Sequence, residues 1–287
     1  MTEMIYNSQF KEMLQRLYAV KAQFSEAFGG EMEAIDGVSS SDTMFTLKRN
    51  ADPVTLQDYD TDANTTFGTH DKWSRFGDMK EIKYTDVPVN YTFNYAAHEG
   101  LDKFTVNADL EQATADRLLK IAEAKLIKFN KDGSKALSDA STKQLTLASS
   151  DEAGLIKMMN EASSYMINNE VVGTLHAYVK PEIYNIAVNS SLTTTAKKSS
   201  VDIDTNALPM LKGFVLHAVP EQYFDASVDA ILVPEGAGRA FSGIEVARVV
   251  DGYQFVGNEI QVAGKGGHFI PEDNKKAVIK VTGLTVA

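Results

Sequence analysis

The sequence predicts an α+β fold, with helices early in the chain and strands late. Three observations carry that reading. The run DLEQATADRLLKIAEAKLIKFNKD, Asp109 to Asp132, is rich in strong helix formers and sets Leu118, Ile121, Ala122, Leu126 and Phe129 along one side. The stretch from Phe45 to Tyr95 opens and closes with strand-like alternation around a polar, turn-rich middle. After Gly213 the apolar runs are short and β-branched: GFVLHAVP, AILVP, IEVARVV, EIQVA and KAVIKVTGLTV.

Size and composition bound what such a fold can do. A chain of 287 residues suffices for one large domain or two modest ones with a proper core. With 44% hydrophobic and 23% charged residues it carries no disorder signature. There are 28 basic against 39 acidic residues, a net charge of −11, which disfavours a protein that coats DNA or anionic lipid. Cysteine is absent, so disulfides, thiolate zinc sites and cysteine nucleophiles are excluded together. The opening MTEMIYNSQFKEML has no basic region followed by an apolar run, so no signal peptide is expected, and no apolar run approaches a bilayer-spanning length. Synthesis and first residence in a cytoplasm follow as the expectation.

The elements follow in order. Ser8 is placed to cap a helix carrying Phe10, Met13, Leu14, Leu17 and Phe24, ended by Gly29 and Gly30. AIDGVSSSD then reads as a linker. Within the arm from Phe45 to Tyr95, five aspartates (52, 58, 60, 62 and 71) separate Arg49 from the next cation, Lys72. A loop that polar does not pack into its own core, so it is expected to lie on something else. Asp109 with Gln112 resembles a capping pair for the long helix, about 36 Å over 24 residues, with Gly133 as its expected stop. A second helix begins near Ser150 or Asp151 and carries Leu155, Ile156, Met159, Ala162 and Met166. A buried-looking strand, VVGTLHAYVK, and a short helix with Pro181 at its first position come next, then the polar loop SSLTTTAKKSS.

The stretches that resemble active sites fail on inspection. In GYQFVGNEIQVAGKGGHFI a phosphate loop built on Lys265 would need a glycine at position 259, which is Glu259, and a hydroxyl after the lysine, where Gly266 stands. Turns between strands explain those glycines. PEGAGRAFSG offers Gly236 and Gly238 to a dinucleotide fingerprint but has Phe241 at its third glycine position. His98-Glu99 opens like a zinc-protease helix, yet Asp102 replaces the second histidine and Gly100 weakens the helix. His70, His176, His217 and His268 stand alone and read as structural. Asp58, Asp60 and Asp62 match the start of a calcium loop whose glycine is Ala63 and whose closing glutamate is Thr69, which leaves a weak, looser calcium candidate beside a solvated or partner-facing acidic loop. No nucleophile elbow occurs. Neither a catalytic set nor a cofactor is expected, and the protein is read as a non-enzyme.

The order of parts is then the informative feature: N-terminal segment, long two-stranded arm, long helix, central α/β region and terminal strands. The arm Phe45 to Tyr95, the helix from Asp109 and the tail GRAFSGIEVARVVDGYQFVGNEIQVAGKGGHFIPEDNKKAVIKVTG together resemble the Hong Kong 97-type major capsid protein of tailed bacteriophages, over nearly the whole chain. The resemblance implies an N-terminal arm over residues 1–44 and an extended loop over 45–95 that overlaps a neighbouring subunit. It implies a peripheral domain with its spine helix over 96–145, an axial domain over 146–244 and a return to the peripheral domain over 245–287. It implies a structural subunit that self-assembles as hexamers and pentamers into an icosahedral shell around DNA that it does not read by sequence. A separate scaffolding protein, a portal, a virion location, assembly in the host bacterial cytoplasm and no membrane contact belong to the same picture. Candidates for contact between subunits are Asp58, Asp60, Asp62, Lys72, Trp73, Arg75 and Lys80. A Lys–Asn cross-link of the kind some members form is not selected by the spacing. The alternatives are a nanocompartment shell of encapsulin type, which has the same fold, and another phage structural protein such as a tail-tube subunit, from which the long helix distinguishes it.

Overall fold

The computed structural model describes residues 4–35, 42–50, 52–61, 74–106, 109–190 and 210–284. They form two compact units: an arm, Ser41–Asn90, and a body made of Met1–Ser40 with Tyr91–Ala287. No described helix is long and apolar enough to cross a membrane.

The body opens with β1 (Met4–Ile5), α1 (Asn7–Lys21), a 3-10 turn (Glu26–Phe28) and β2 (Met32–Ile35). Ser8 does not cap α1. Tyr6 holds that position, and Ser8 lies inside the helix with its hydroxyl on Gln9. Entry is fixed instead by Asn7, whose Oδ1 accepts the Ala247 amide at 2.7 Å. Phe24 lies past the helix but is buried with Phe10, Leu14 and Tyr18. The first two residues of the expected linker, Ala34 and Ile35, pair in parallel with Ser242 and Gly243, because a strand edge is there to receive them.

After the arm come β5 (Phe93–Asp102) and α2 (Leu110–Ala140), 31 residues and about 46 Å long. Asp109 caps α2 by accepting the Glu111 amide, at 3.0 Å. Gly133 does not stop it. A Cβ there would come within 3.1 Å of His268 Nε2 and 3.3 Å of a Phe28 ring carbon, so the glycine lets the helix press against both while its turns continue. Phe129, Gly133 and Leu137 share that buried face.

The rest of the body is β6 (Lys143–Thr146), α3 (Glu152–Asn168), β7 (Leu175–Val179), α4 (Pro181–Val188), β8 (Met210–Leu211), β9 (Phe214–Ala218), β10 (Ala230–Pro234), β11 (Arg239–Asp251), β12 (Gly257–Phe269), a one-turn helix (Glu272–Lys275) and β13 (Ile279–Thr282). Asp151 caps α3 through the Gly154 amide, at 2.8 Å, and Pro181 opens α4 as its fixed φ allows. The polar loop expected at 190–200 lies almost wholly outside the described residues.

Two sheets organise the body. One runs β1-β11-β12-β5, with β2 added alongside β11, and α1 and α2 on one face. The other runs β6-β13-β10-β7-β9-β8. Strand β10 is buried from end to end, so it reads as an unbroken apolar run. Its alternate residues serve two cores: Ile231 and Val233 join the helices α1 and α2, whereas Ala230 and Leu232 join α3 and α4.

The glycines 264, 266 and 267 are not turns. They lie inside β12, paired to β11 and β5, and the turn sits earlier, where the Gly252 amide meets the Gly257 carbonyl at 2.8 Å. Side chains from the neighbouring strand cross them: a Cβ at Gly264 would meet Tyr95 Oη at 2.6 Å, and one at Gly266 would meet the Phe93 ring at 2.6 Å. Similarly, His98, Glu99 and Gly100 sit on β5, not on a helix.

Candidate functional site

The arm is built on one antiparallel pair, β3 (Thr43–Arg49) with β4 (Thr85–Asn90), paired from Thr43 opposite Asn90 to Arg49 opposite Thr85 with a register shift between Thr43 and Phe45. Pairing closes at Asn90; Phe93 to Tyr95, expected in the arm, begin β5 and pair with β12. Between β3 and β4 the described residues form no further helix or strand and are fastened by side chains. Gln57 Oε1 accepts the Asp78 amide at 3.1 Å while its Nε2 donates to the Asp78 carbonyl at 3.0 Å, so one side chain imitates a strand partner. Gly77 makes this possible. Its φ is +80°, and a Cβ would fall 1.8 Å from Gln57 Oε1. Tyr59 and Phe76 meet edge to face at 5.1 Å, and the Asp60 amide reaches the Arg75 carbonyl at 2.9 Å.

The described residues of the arm form almost no core. Leu47, Val54, Leu56, Tyr59, Phe76, Met79, Ile82 and Tyr84 are all exposed, Val54, Leu56 and Met79 nearly fully, and Val89 is the buried large apolar residue among those described. Isolated exposed apolar side chains are ordinary, but this concentration in one thin unit marks a contact surface.

Of the residues singled out from sequence, Asp58, Asp60, Arg75 and Lys80 lie in the described arm, whereas Asp62, Lys72 and Trp73 lie outside the described residues. Asp58 and Lys80 are exposed and Asp60 is half-buried. Lys80 approaches Asp52 at 4.0 Å, and Asp52 also accepts the Lys83 amide at 3.4 Å. Among the described residues no three acidic or histidine side chains are grouped to hold a metal ion.

The body presents a second surface that sequence reasoning passed over. Arg117, Lys120, Lys128, Lys131 and Lys135 recur at helical spacing along α2. Beside them, a cleft of about 390 Å³ opens between α2 and β5. Its floor is Ala96, Ala97, Ile121 and Ala124, and Arg117, Lys120 and Lys128 are among the residues that line it. Arg117 forks onto the Glu99 carboxylate, which lowers the Glu99 pKa. Lys125 is 4% exposed, donates to Ser242 Oγ at 2.5 Å and stands 4.4 Å above the Tyr95 ring. Burial pushes its pKa down to about 7.

The histidines also need correction. His176 and His217 do not stand alone: strands β7 and β9 bring Nδ1 of the first within 2.8 Å of Nε2 of the second, and burial lowers both pKa values. His268, buried, holds Asp132 at 2.8 Å. His98 pairs with Glu259 at 2.5 Å across β5 and β12. His70 lies outside the described residues.

No family model matches the chain. No curated protein matches it either. Solved structures do, over nearly all of its length, and they define the class: this is a capsid fold of Hong Kong 97 type. The capsid structure of the cyanophage P-SCSP1u superposes with a TM-score of 0.67 at 8% identity, covering 89% of this chain and 87% of that one. A chain of Mycobacterium phage Che8 gives 0.61 at 15% identity, with 98% and 92% covered. The virus-like particle from Pyrococcus furiosus gives 0.52 at 12% identity, with 96% and 99% covered. At such identities the likeness is one of fold, and the α+β, arm-and-long-helix layout expected from sequence is correct at that level.

Proposed function

We propose that this chain is the major capsid protein of a tailed bacteriophage, a structural subunit that assembles with copies of itself into the icosahedral head around double-stranded DNA. The observation that carries the reading is the arm: a unit with eight exposed large apolar side chains and almost no core, on a body with a capsid fold. Such a unit gains its missing contacts by lying across another copy, and many modest contacts add up through closed symmetry. In this reading the arm is the extended loop, α2 is the spine helix, and the sheet holding β11 and β12 belongs to the peripheral domain. Residues of roughly 146–244 form the axial domain. Asp58, Asp60, Asp62, Lys72, Trp73, Arg75 and Lys80 are contact residues between subunits. A separate scaffolding protein, a portal, assembly in the host cytoplasm and residence in the virion complete the proposal. The net charge of −11 suits a wall that leaves enclosed DNA mobile.

A second reading is a nanocompartment shell, since the fold is shared by particles of more than one kind, the virus-like particle from Pyrococcus furiosus among them. Light scattering after size exclusion, with electron microscopy of the largest fraction, separates them. Pentamers, hexamers or closed shells of the 31.4 kDa subunit are expected. Shells filled with one cargo enzyme support the nanocompartment. A monomer or dimer unmoved by co-expressed scaffold rejects both.

A further inference from the structure

We infer that His176, His217 and Glu26 form an acid-sensitive latch, which holds the 3-10 turn Glu26–Phe28 of the N-terminal segment against the second sheet and loosens it when both rings are charged. The inference goes beyond the shell reading and does not depend on it. Parallel pairing of β7 with β9 sets His176 and Tyr178 beside His217. Nδ1 of His176 lies 2.8 Å from Nε2 of His217, a distance that one shared proton explains. His176 is 5% exposed, and its other ring nitrogen, Nε2, has no hydrogen-bond partner among the described residues. The Tyr178 ring stacks on His217 with centroids 4.9 Å apart. Its hydroxyl accepts the Ala27 amide at 3.1 Å and donates to the Glu26 carboxylate at 3.4 Å. The backbone completes the attachment: the Gly236 amide donates to the Glu26 carbonyl at 2.8 Å and the Gly238 amide to the Ala27 carbonyl at 3.0 Å.

The groups that bear on the pair come from every side. Glu26 faces both rings from the 3-10 turn, Glu235 faces His176 from the end of β10, and each histidine faces the other. Tyr178 and Tyr18 stay protonated, because burial and the nearby Glu26 charge raise their pKa values. Burial is the largest influence on both histidines and lowers their pKa values against the pull of Glu26. Below about pH 6.5 the unfolded chain therefore takes up protons that the folded pair resists. What the pair contributes is complete above that pH and is lost as the pH falls through the depressed values. Glu26 stays ionised across this window: burial opposes its charge, but hydrogen bonds from its own backbone and from Ser25 outweigh it. The first proton is shared between the facing nitrogens and offset by Glu26. A second makes both nitrogens donors, sets two positive charges 2.8 Å apart and leaves the buried Nε2–H of His176 without an acceptor. Relief comes from parting the rings. Since Tyr178 stacks on His217, that movement disturbs the hydroxyl on which Ala27 and Glu26 depend.

The test is amide hydrogen exchange on the full chain from about pH 7 to about pH 5, corrected for the intrinsic pH dependence of exchange and read by mass spectrometry. Protection of the Ala27, Gly236 and Gly238 amides is expected to fall by roughly tenfold or more over that range, while α3 keeps its protection. His217→Gln keeps a polar partner for His176 and cannot take the second proton, so its turn is expected to hold its protection across the same range. A second measurement needs no variant: ring resonances of His176 and His217 in the wild-type chain are expected to titrate in two coupled steps, both below the ordinary histidine value. Turn protection that does not change with pH overturns the inference. So does an equal loss in His217→Gln, or a loss spread evenly over α3 and the turn. Two rings that titrate independently also overturn it, whether or not the variant folds.

Discussion

The arm and the body solve the same problem in opposite ways. The body buries Phe10, Phe28, Phe129, Leu137 and Ile231 almost completely in one core, and Leu155, Met159 and Ile183 in a second. The arm is more polar and is built on one strand pair, and its apolar residues Leu47, Leu56, Phe76 and Met79 stay in solvent. A two-stranded ribbon has no inside, and isolated hairpins are marginal in water. The difference teaches where each unit's order comes from: the body's from its own packing, the arm's from β3–β4 pairing, a few side-chain fasteners and whatever covers it.

The sharpest way to break the comparison is to remove the arm. Replacing residues 46–87 by a short Gly/Ser connection is expected to abolish assembly while the body still melts cooperatively, as read by light scattering and circular dichroism on one sample. Next in size, Phe129→Ala empties a site shared with Tyr18, Phe93 and His268. It is expected to cost the body about 3–5 kcal/mol in urea titration.

Lys125→Met acts in the stabilising direction. The Lys125 pKa is depressed to about 7 in the folded chain, against about 10.4 unfolded. Between those values the unfolded chain binds the extra proton, so wild-type stability rises with pH from near 7 towards 10. The methionine variant is expected to be more stable by about 1–4 kcal/mol at neutral pH, with the gap closing by pH 10. A gap that does not change with pH would place the effect in packing. The smallest effect belongs to the arm: Gln57→Ala removes two hydrogen bonds and is expected to loosen it by about 1–2 kcal/mol. Faster protease nicking between Asn50 and Tyr84, with unchanged melting of the body, is the readout.

Periodicity made the large parts legible. The α2 stripe of Leu118, Ile121, Leu126 and Phe129, the Asp151 cap and the strand pair framing the arm all follow from local pattern. What escaped depends on contacts between distant segments. Gly133 reads as a stop until Phe28 and His268 are seen pressed against it, and the β12 glycines read as turns until rings from β5 lie across them. His176 and His217 are 41 positions apart and meet through parallel pairing of β7 and β9. In the candidate site, the arm and its acidic stretch were visible as a loop too polar for its own core. The α2 cations were visible in spacing too, but a charged helix face is ordinarily solvent-facing, and the cleft beside them exists only once β5 is in place.

The strand pairing also sets a timetable. β1 and β2 pair with β11, β5 with β12 and β6 with β13, so four strands made before residue 150 wait for partners that begin at Arg239. At about 5–20 residues per second, the early strands remain unmatched for roughly ten to forty seconds of synthesis. A chain broken off before Arg239 lacks β11 and β12 of one body sheet and β13 of the other, so neither body sheet closes and only the arm's strand pair is complete.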